Sequence, residues 1–289
     1  MSHSELVAKP STLSTAGGAC TVFAVNHPAW GILSSLTATM QLDSRYPSDM
    51  LPGQKSYSRL LIYVDKDFEN PDPAGIGHTF ESGSTTICRM GQAADMDSLA
   101  LQMMWLSPFL VREMELSGGF LLHGALAEHK GYGIVFAGPG GRGKTTTSLR
   151  LPPPWKSLSD DTTLVVRDES GVYWAHPWPT WSRFMWGGPG GAWDVNHSVP
   201  LKGIFLLVQA EDACIKPIGT GQAIVMLQEV SEQASFLSLK SLDDERARAR
   251  RLQRFENICT LAKKVPTSIL QTSLASHFWE QIEREAFDP

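Results

Sequence analysis

Apolar positions recur along this chain with two periods, and the switch between them outlines its elements. Cys20–Val25 and Leu60–Val64 are short apolar runs bounded by turn residues and predict strands, with residues 1 to 18 as a loose arm before them. Trp30, Ile32, Leu33, Leu36 and Met40 follow the punctuation at His27-Pro28 with the spacing of a short helix. Pro47–Gln54 is turn-like, Asp65–Pro73 is a charged loop, and alternation around Gly77–Arg89 predicts a strand or hairpin. Asp97 is expected to cap a helix carrying Leu99, Leu101, Met104, Trp105 and Leu106. Ser107-Pro108 is expected to start a second helical piece after a bend, ended by Gly118-Gly119.

The pattern sharpens from Phe120. Phe120–Leu126 and Ile134–Ala137 read as strands joined by a turn at Glu128–Gly131, and a helix is expected from Lys144 to about Leu151, where Pro152-Pro153-Pro154 ends it. Further strands are predicted after Asp161, up to His176, over Leu201–Gln209, at Ile215–Ile218 and over Val265–Leu270. Helices are predicted from Thr220 through Leu227 or beyond, from Asp243 toward Ile258, and over Ala275–Ala286. The alternation of strands and helices makes this an α/β chain.

Composition narrows the class. With 289 residues, 42% of them hydrophobic, the chain can bury a sizeable interior. A formal charge of -5 argues against a nucleic-acid binder that works through a broad basic surface. No apolar run approaches a bilayer span, and Met1-Ser2-His3-Ser4-Glu5 lacks the basic start and apolar core of an export signal. Cys20, Cys88, Cys214 and Cys259 are scattered without a C-x-x-C pair and read as buried thiols, so the expected location is the cytoplasm. Asp65, Asp67, Glu69 and Asp72 form an acidic loop without an orderly ligand spacing, which a solvated loop explains better than a cation site. The run Asp243–Arg251 reads as the solvated face of a helix supported by its own opposite charges.

One stretch carries chemistry. Gly138-Pro139-Gly140-Gly141-Arg142-Gly143-Lys144-Thr145, followed by Thr146, fills every fixed position of the phosphate-loop pattern G-x-x-x-x-G-K-[ST] between a strand and a helix. Glycines leave the amides free to curl around a polyanion, Lys144 can reach terminal phosphates, and the Thr145 hydroxyl can hold magnesium. A plain glycine turn would need neither the lysine nor the hydroxyl. Asp160-Asp161 adds two adjacent carboxylates, which reach one site only if the strand bends there. One could then organise magnesium while the other takes a proton from an attacking hydroxyl. His123 precedes the loop strand and is either a hydrogen-bonded core histidine or a contact to phosphate or loop. Five of the nine tryptophans fall between Tyr173 and Asp194. Either this segment walls an acceptor site, with Arg183 neutralising phosphate and His176 and Asp194 as weaker polar candidates, or its tryptophans cover an apolar seam.

His123-Gly124, the loop Gly138–Thr145 and Ser159-Asp160-Asp161 together resemble the catalytic core of the HPr kinase/phosphorylase family, related in fold to phosphoenolpyruvate carboxykinase. Residues 1–117 read from their own pattern as a small N-terminal α+β module, and the resemblance implies an HPr kinase-like P-loop nucleotide-binding catalytic domain over 118–289. It implies ATP and Mg2+ as cofactors, and an active-site role for His123. It also implies nucleotide and metal binding by Lys144 and Thr145, and metal binding and hydroxyl activation by Asp160 and Asp161. Pro139 and Thr145 stand where the family more usually has Asp and Ser, and its E-I-R-G-L-G signature is missing, so HPr itself is a doubtful substrate. The chain looks more like diverged kinases associated with modified-peptide and radical-enzyme cassettes of the SynChlorMet type, a likeness suggested by H-P-W-P-T-W-S-R-F-M-W-G-G. The expected activity is transfer of the ATP γ-phosphoryl to a serine or threonine hydroxyl of a peptide or small protein, with no nucleic-acid or membrane partner and homo-oligomerisation open. A small-molecule hydroxyl kinase and a non-catalytic ATP-binding peptide carrier or assembly factor are the alternatives.

Overall fold

A computed structural model of the chain describes residues 9–44, 57–68, 77–240 and 243–287. It is mixed α/β, with two sheets and several helices, and divides into two compact units. The first comprises Met1–Ser117, Pro179–Asn196 and Phe236–Arg250; the second comprises Gly118–Trp178, His197–Ser235 and Arg251–Pro289.

The sheet of the first unit is built from β1 (Ser11–Thr15), β2 (Gly18–Ala24), β3 (Tyr57–Val64), β4 (His78–Ser82) and β5 (Thr85–Met90), in the order β1-β2-β3-β5-β4. The three inner strands are parallel and the outer two antiparallel. Along β3, Ser58, Leu60, Ile62 and Val64 are buried while Arg59 and Tyr63 face out, the period-two signature of a sheet packed on one side. Helices α1 (Ala29–Met40), α2 (Met96–Leu110) and α3 (Arg112–Leu116) pack against β2 and β3.

Several expectations change here. Ser11–Thr15 is a strand and not part of a loose arm, because it completes a buried pair with β2 in which the Thr12 and Thr21 hydroxyls lie 3.0 Å apart. Asp95, not Asp97, caps α2: its carboxylate accepts from Ser98 N at 2.8 Å, and the Ser98 hydroxyl accepts from Asp95 N. Ser107-Pro108 does not divide the helix into two pieces. The Ser107 hydroxyl donates to Met104 O at 3.0 Å, supplying the acceptor that Pro108, lacking an N–H, leaves without its helical donor, and α2 continues to Leu110. The turn expected at Pro47–Gln54 lies outside the described residues, as do Glu69 and Asp72. Asp65 pairs with Arg89, which holds its carboxyl below the usual range.

The second unit carries β6 (Phe120–His129), β7 (Tyr132–Ala137), β8 (Lys156–Ser159), β9 (Thr162–Arg167), β10 (Tyr173–Trp178), β11 (Val199–Gln209), β12 (Cys214–Pro217) and β13 (Thr267–Thr272). They form one sheet in the order β10-β9-β6-β7-β11-β13-β12, with β8 beside β6. Trp174 and Ala175 also pair with Pro200 and Val199, so β10, β9, β6, β7 and β11 close into a ring. β6 runs on to His129, which shortens the expected turn to Lys130-Gly131. Both have positive φ, 50° and 79°, as a two-residue hairpin of this twist requires. Ring and extension are packed on both sides. Val135, Ala137, Ile204 and Leu206 join a cluster with Leu227 and Val230 of α5 (Thr220–Lys240) and Ile258 and Leu261 of α6 (Asp244–Leu261). Ile134, Phe136, Phe205 and Leu207 face Phe278 and Ile282 of α7 (Phe278–Ala286). Helix α7 starts three residues later than the pattern suggested, because the Ser276 hydroxyl bonds to Ser273 N and O and holds that stretch as a turn. Cys20 and Cys88 are buried as expected, but Cys214 and Cys259 are only half-buried; all four are free thiols. Among the described residues no helix is long and apolar enough to cross a membrane.

Candidate functional site

Three neighbouring strands, β7, β11 and β13, run parallel; β7 ends at Ala137, opposite Leu206, and β11 and β13 run three residues further to end in register at Gln209 and Thr272. In open α/β sheets this carboxyl margin is where ligands bind. The glycine loop leaves β7 at that margin and leads into α4 (Lys144–Leu149). Gly141 and Gly143 have φ of 77° and 90°, a backbone that side-chain-bearing residues resist, and this turns successive amides to one side. Lys144 is only 5% exposed. Its ammonium donates to Gly138 O at 3.0 Å and Pro139 O at 3.3 Å, and Asp161 Oδ1 lies 3.8 Å away. Burial draws the Lys144 pKa below its usual value, and Asp161 partly opposes the shift. Arg142, Thr145 and Thr146 are exposed, and the Thr145 hydroxyl donates to Asp160 O at 3.4 Å.

The acidic pair reaches this place from the other side. Asp160 and Asp161 occupy the bend between β8 and β9, which is clamped by the Ser159 hydroxyl donating to Thr162 O at 2.8 Å. His123, on β6, stands between this bend and α5. Its Nε2 lies 2.9 Å from Asp161 Oδ1 and its Nδ1 2.8 Å from Gln233 Oε1. Burial pushes the Asp161 carboxyl up, but the His123 hydrogen bond, the His123 charge and Lys144 outweigh it and leave the pKa below the usual carboxylate range. The strand beneath is held close: Gly138 N donates to His123 O, and a Cβ on Gly124 would meet Val135 Cγ1 at 2.8 Å.

His123, Lys144, Thr145, Asp160 and Asp161 are thus brought together within the second unit. Arg183 is not in that unit; it lies in a 3-10 turn, Trp181–Phe184, of the first. His176 is fully buried within β10, and Trp178, Trp181 and Trp193 are buried too, as tryptophans covering an apolar seam would be, while Trp186 is exposed. Asp194 caps its own turn by accepting from Asn196 N at 3.2 Å.

Two features escaped the sequence. Gln233 carries no motif, and only the packing of α5 brings it to His123. The second is a recess of about 460 Å³ beside the glycine loop, walled by α4 on one side and by Gln209, Ala210 and Thr272–Leu274 on the other. Polar residues at the ends of two apolar strands were its sequence trace, but the parallel order that aligns those ends is not written locally.

The chemistry of the set is plain. A buried lysine, turned amides and exposed hydroxyls suit a polyanion. The Thr145 hydroxyl and the acidic pair are hard oxygen donors that suit magnesium held jointly with ligand phosphates. Among the described residues no cluster of three or more His, Cys, Asp or Glu could hold a metal on its own.

A sequence model of the family described as SynChlorMet cassette protein ScmC matches residues 86–288. No curated protein matches the chain.

Proposed function

We propose, from the premise that the chain belongs to the SynChlorMet cassette protein ScmC family, that it is an ATP-dependent kinase acting on a serine or threonine hydroxyl of a peptide or small protein. With that goes the finer fold assignment of the second unit as an HPr kinase-like P-loop core, and a cytoplasmic location in keeping with its free thiols. The observation that carries the proposal is the convergence of Lys144 with the acidic bend: the loop cation is buried 3.8 Å from Asp161 Oδ1, and Thr145 reaches Asp160 O.

In this reading the loop amides and Lys144 hold the phosphates and stabilise charge on the transferred group. Thr145 and one carboxylate of the acidic pair would hold Mg2+, which supplies charge neutralisation across the phosphates. Asp161 lies 2.9 Å from His123 Nε2 and 3.8 Å from Lys144 Nζ, which fixes the acidic bend beside the loop lysine, and the second carboxylate of the pair takes the hydroxyl proton. The acceptor oxygen forms a bond to the γ-phosphorus, the bond to the leaving ADP oxygen breaks, and the proton goes to that second carboxylate. His123 has both ring nitrogens engaged and acts through Asp161, not on the substrate.

The test is mass spectrometry of candidate peptides after incubation with ATP and magnesium, with Lys144→Ala and Thr145→Ala beside the unaltered chain. Transfer by the unaltered chain should fall by about a hundredfold or more in Lys144→Ala, the usual consequence of deleting one charge-stabilising donor. Equal transfer by a folded Lys144→Ala protein would sink the assignment. Phosphate appearing on a metabolite without peptide would favour a small-molecule kinase, and saturable peptide binding without transfer or hydrolysis a carrier.

A further inference from the structure

The phosphate loop accounts for only one wall of the recess beside it. The opposite wall is made by the ends of β11 and β13, and its outermost residue, Leu274, is 78% exposed. Leu274 adds apolar surface at the mouth of a recess whose lining is more apolar than polar, while its polar groups come from the loop and the two strand ends. The stretch that carries it is braced: the Arg150 guanidinium, extending from the end of α4, donates to Ser273 O at 2.9 Å and to Ser276 O at 2.7 Å. Thr272 and Ser276 hydroxyls lie 2.7 Å apart and close the turn from within. The facing wall is fixed as well, since the Gln209 amide donates to Gly141 O at 3.3 Å. The volume is in the range of small-molecule pockets, whose walls are largely preformed and mix apolar surface with a few placed polar groups. No carboxylate is among the residues that line it. Repulsion of a phosphorylated ligand by the lining is therefore absent.

We infer that this recess holds the nucleoside of a nucleoside triphosphate, with Leu274 covering one face of the base and Arg150 serving as the brace that keeps the wall in place. The inference rests on the proposed ATP-binding role of the loop and extends it to residues at the ends of two other strands. The phosphates and the nucleoside are then read by separate groups: Lys144 by charge at one end, Leu274 by apolar contact at the other. Inorganic tripolyphosphate shares only the first.

Calorimetric titration of the full chain with ATP and with tripolyphosphate, both with magnesium, separates the two. The unaltered chain should bind ATP more tightly than tripolyphosphate. Leu274→Ala should weaken ATP by about tenfold, equivalent to about 1.4 kcal/mol, and leave tripolyphosphate unchanged, while Leu274→Met keeps ATP affinity. Lys144→Ala should weaken both. ATP affinity equal in Leu274→Ala and the unaltered chain, or ATP bound no more tightly than tripolyphosphate, overturns the nucleoside assignment while leaving the loop reading intact. An unaltered chain that binds neither overturns both.

Discussion

His123 illustrates how single residues acquire roles that their sequence neighbours do not announce. Within the apolar run of β6 it reads equally as a core histidine or a site residue, and the structure gives it partners at both ring nitrogens, one in the β8–β9 bend and one on α5. Lys144 and Thr145 are different: their meaning is contiguous with the glycines before them, so the motif could be read directly. Gln233 could not, because its relation to His123 spans 110 positions and no local pattern records it. Asp168 offers a test at this scale. Burial pushes its carboxyl up, but bonds from the Ser170 hydroxyl, Trp174 Nε1 and Val172 N outweigh that and hold it below the usual carboxylate range. A depressed folded-state value means stability that is present above the unfolded pKa and lost as pH falls through the folded one. Asp168→Asn should therefore be less stable than the unaltered chain at neutral pH, with the gap narrowing as pH drops below 4 in chemical-denaturation curves.

Among the elements, the strands of the second unit other than the four-residue β8 were legible because alternation and apolar runs survive burial on both faces; their neighbours were not. That β7 lies beside β11, and β11 beside β13, follows from long-range pairing that local periodicity does not encode. The helices misled at their ends. The break expected at Ser107-Pro108 fails because a hydroxyl one residue earlier occupies the carbonyl the proline leaves, and the cap expected at Asp97 belongs two residues upstream. Gly124 marks where two strands press together under the glycine loop. A methyl there would meet Val135 Cγ1 at 2.8 Å and the Ala137 Cα and Phe136 O at 3.2 Å, and backbone atoms cannot swing aside. Gly124→Ala should cost about 1–3 kcal/mol of unfolding free energy, the range for overpacking a tight interior, measured by urea denaturation.

For the molecule as a whole, the chain passes between the two units after Ser117, Trp178, Asn196, Ser235 and Arg250. The last two passages fall inside α5 and α6, so each of these helices begins in one unit and ends in the other. Melting either unit frays a helix that the other needs, and scanning calorimetry should show a single transition with calorimetric and van't Hoff enthalpies in agreement; two resolved transitions would contradict this. The ring closure of the second sheet has its own consequence. By joining β10 back to β11 the chain uses up strand margins that would otherwise be open, and among the described residues only β8 and β12 remain as outer strands, four residues each. β12 ends in Lys216-Pro217, a charge followed by a residue with no amide hydrogen to offer. A foreign strand arriving at this sheet finds too short a template to add to, so growth of chains into fibrils by backbone pairing has little foothold here.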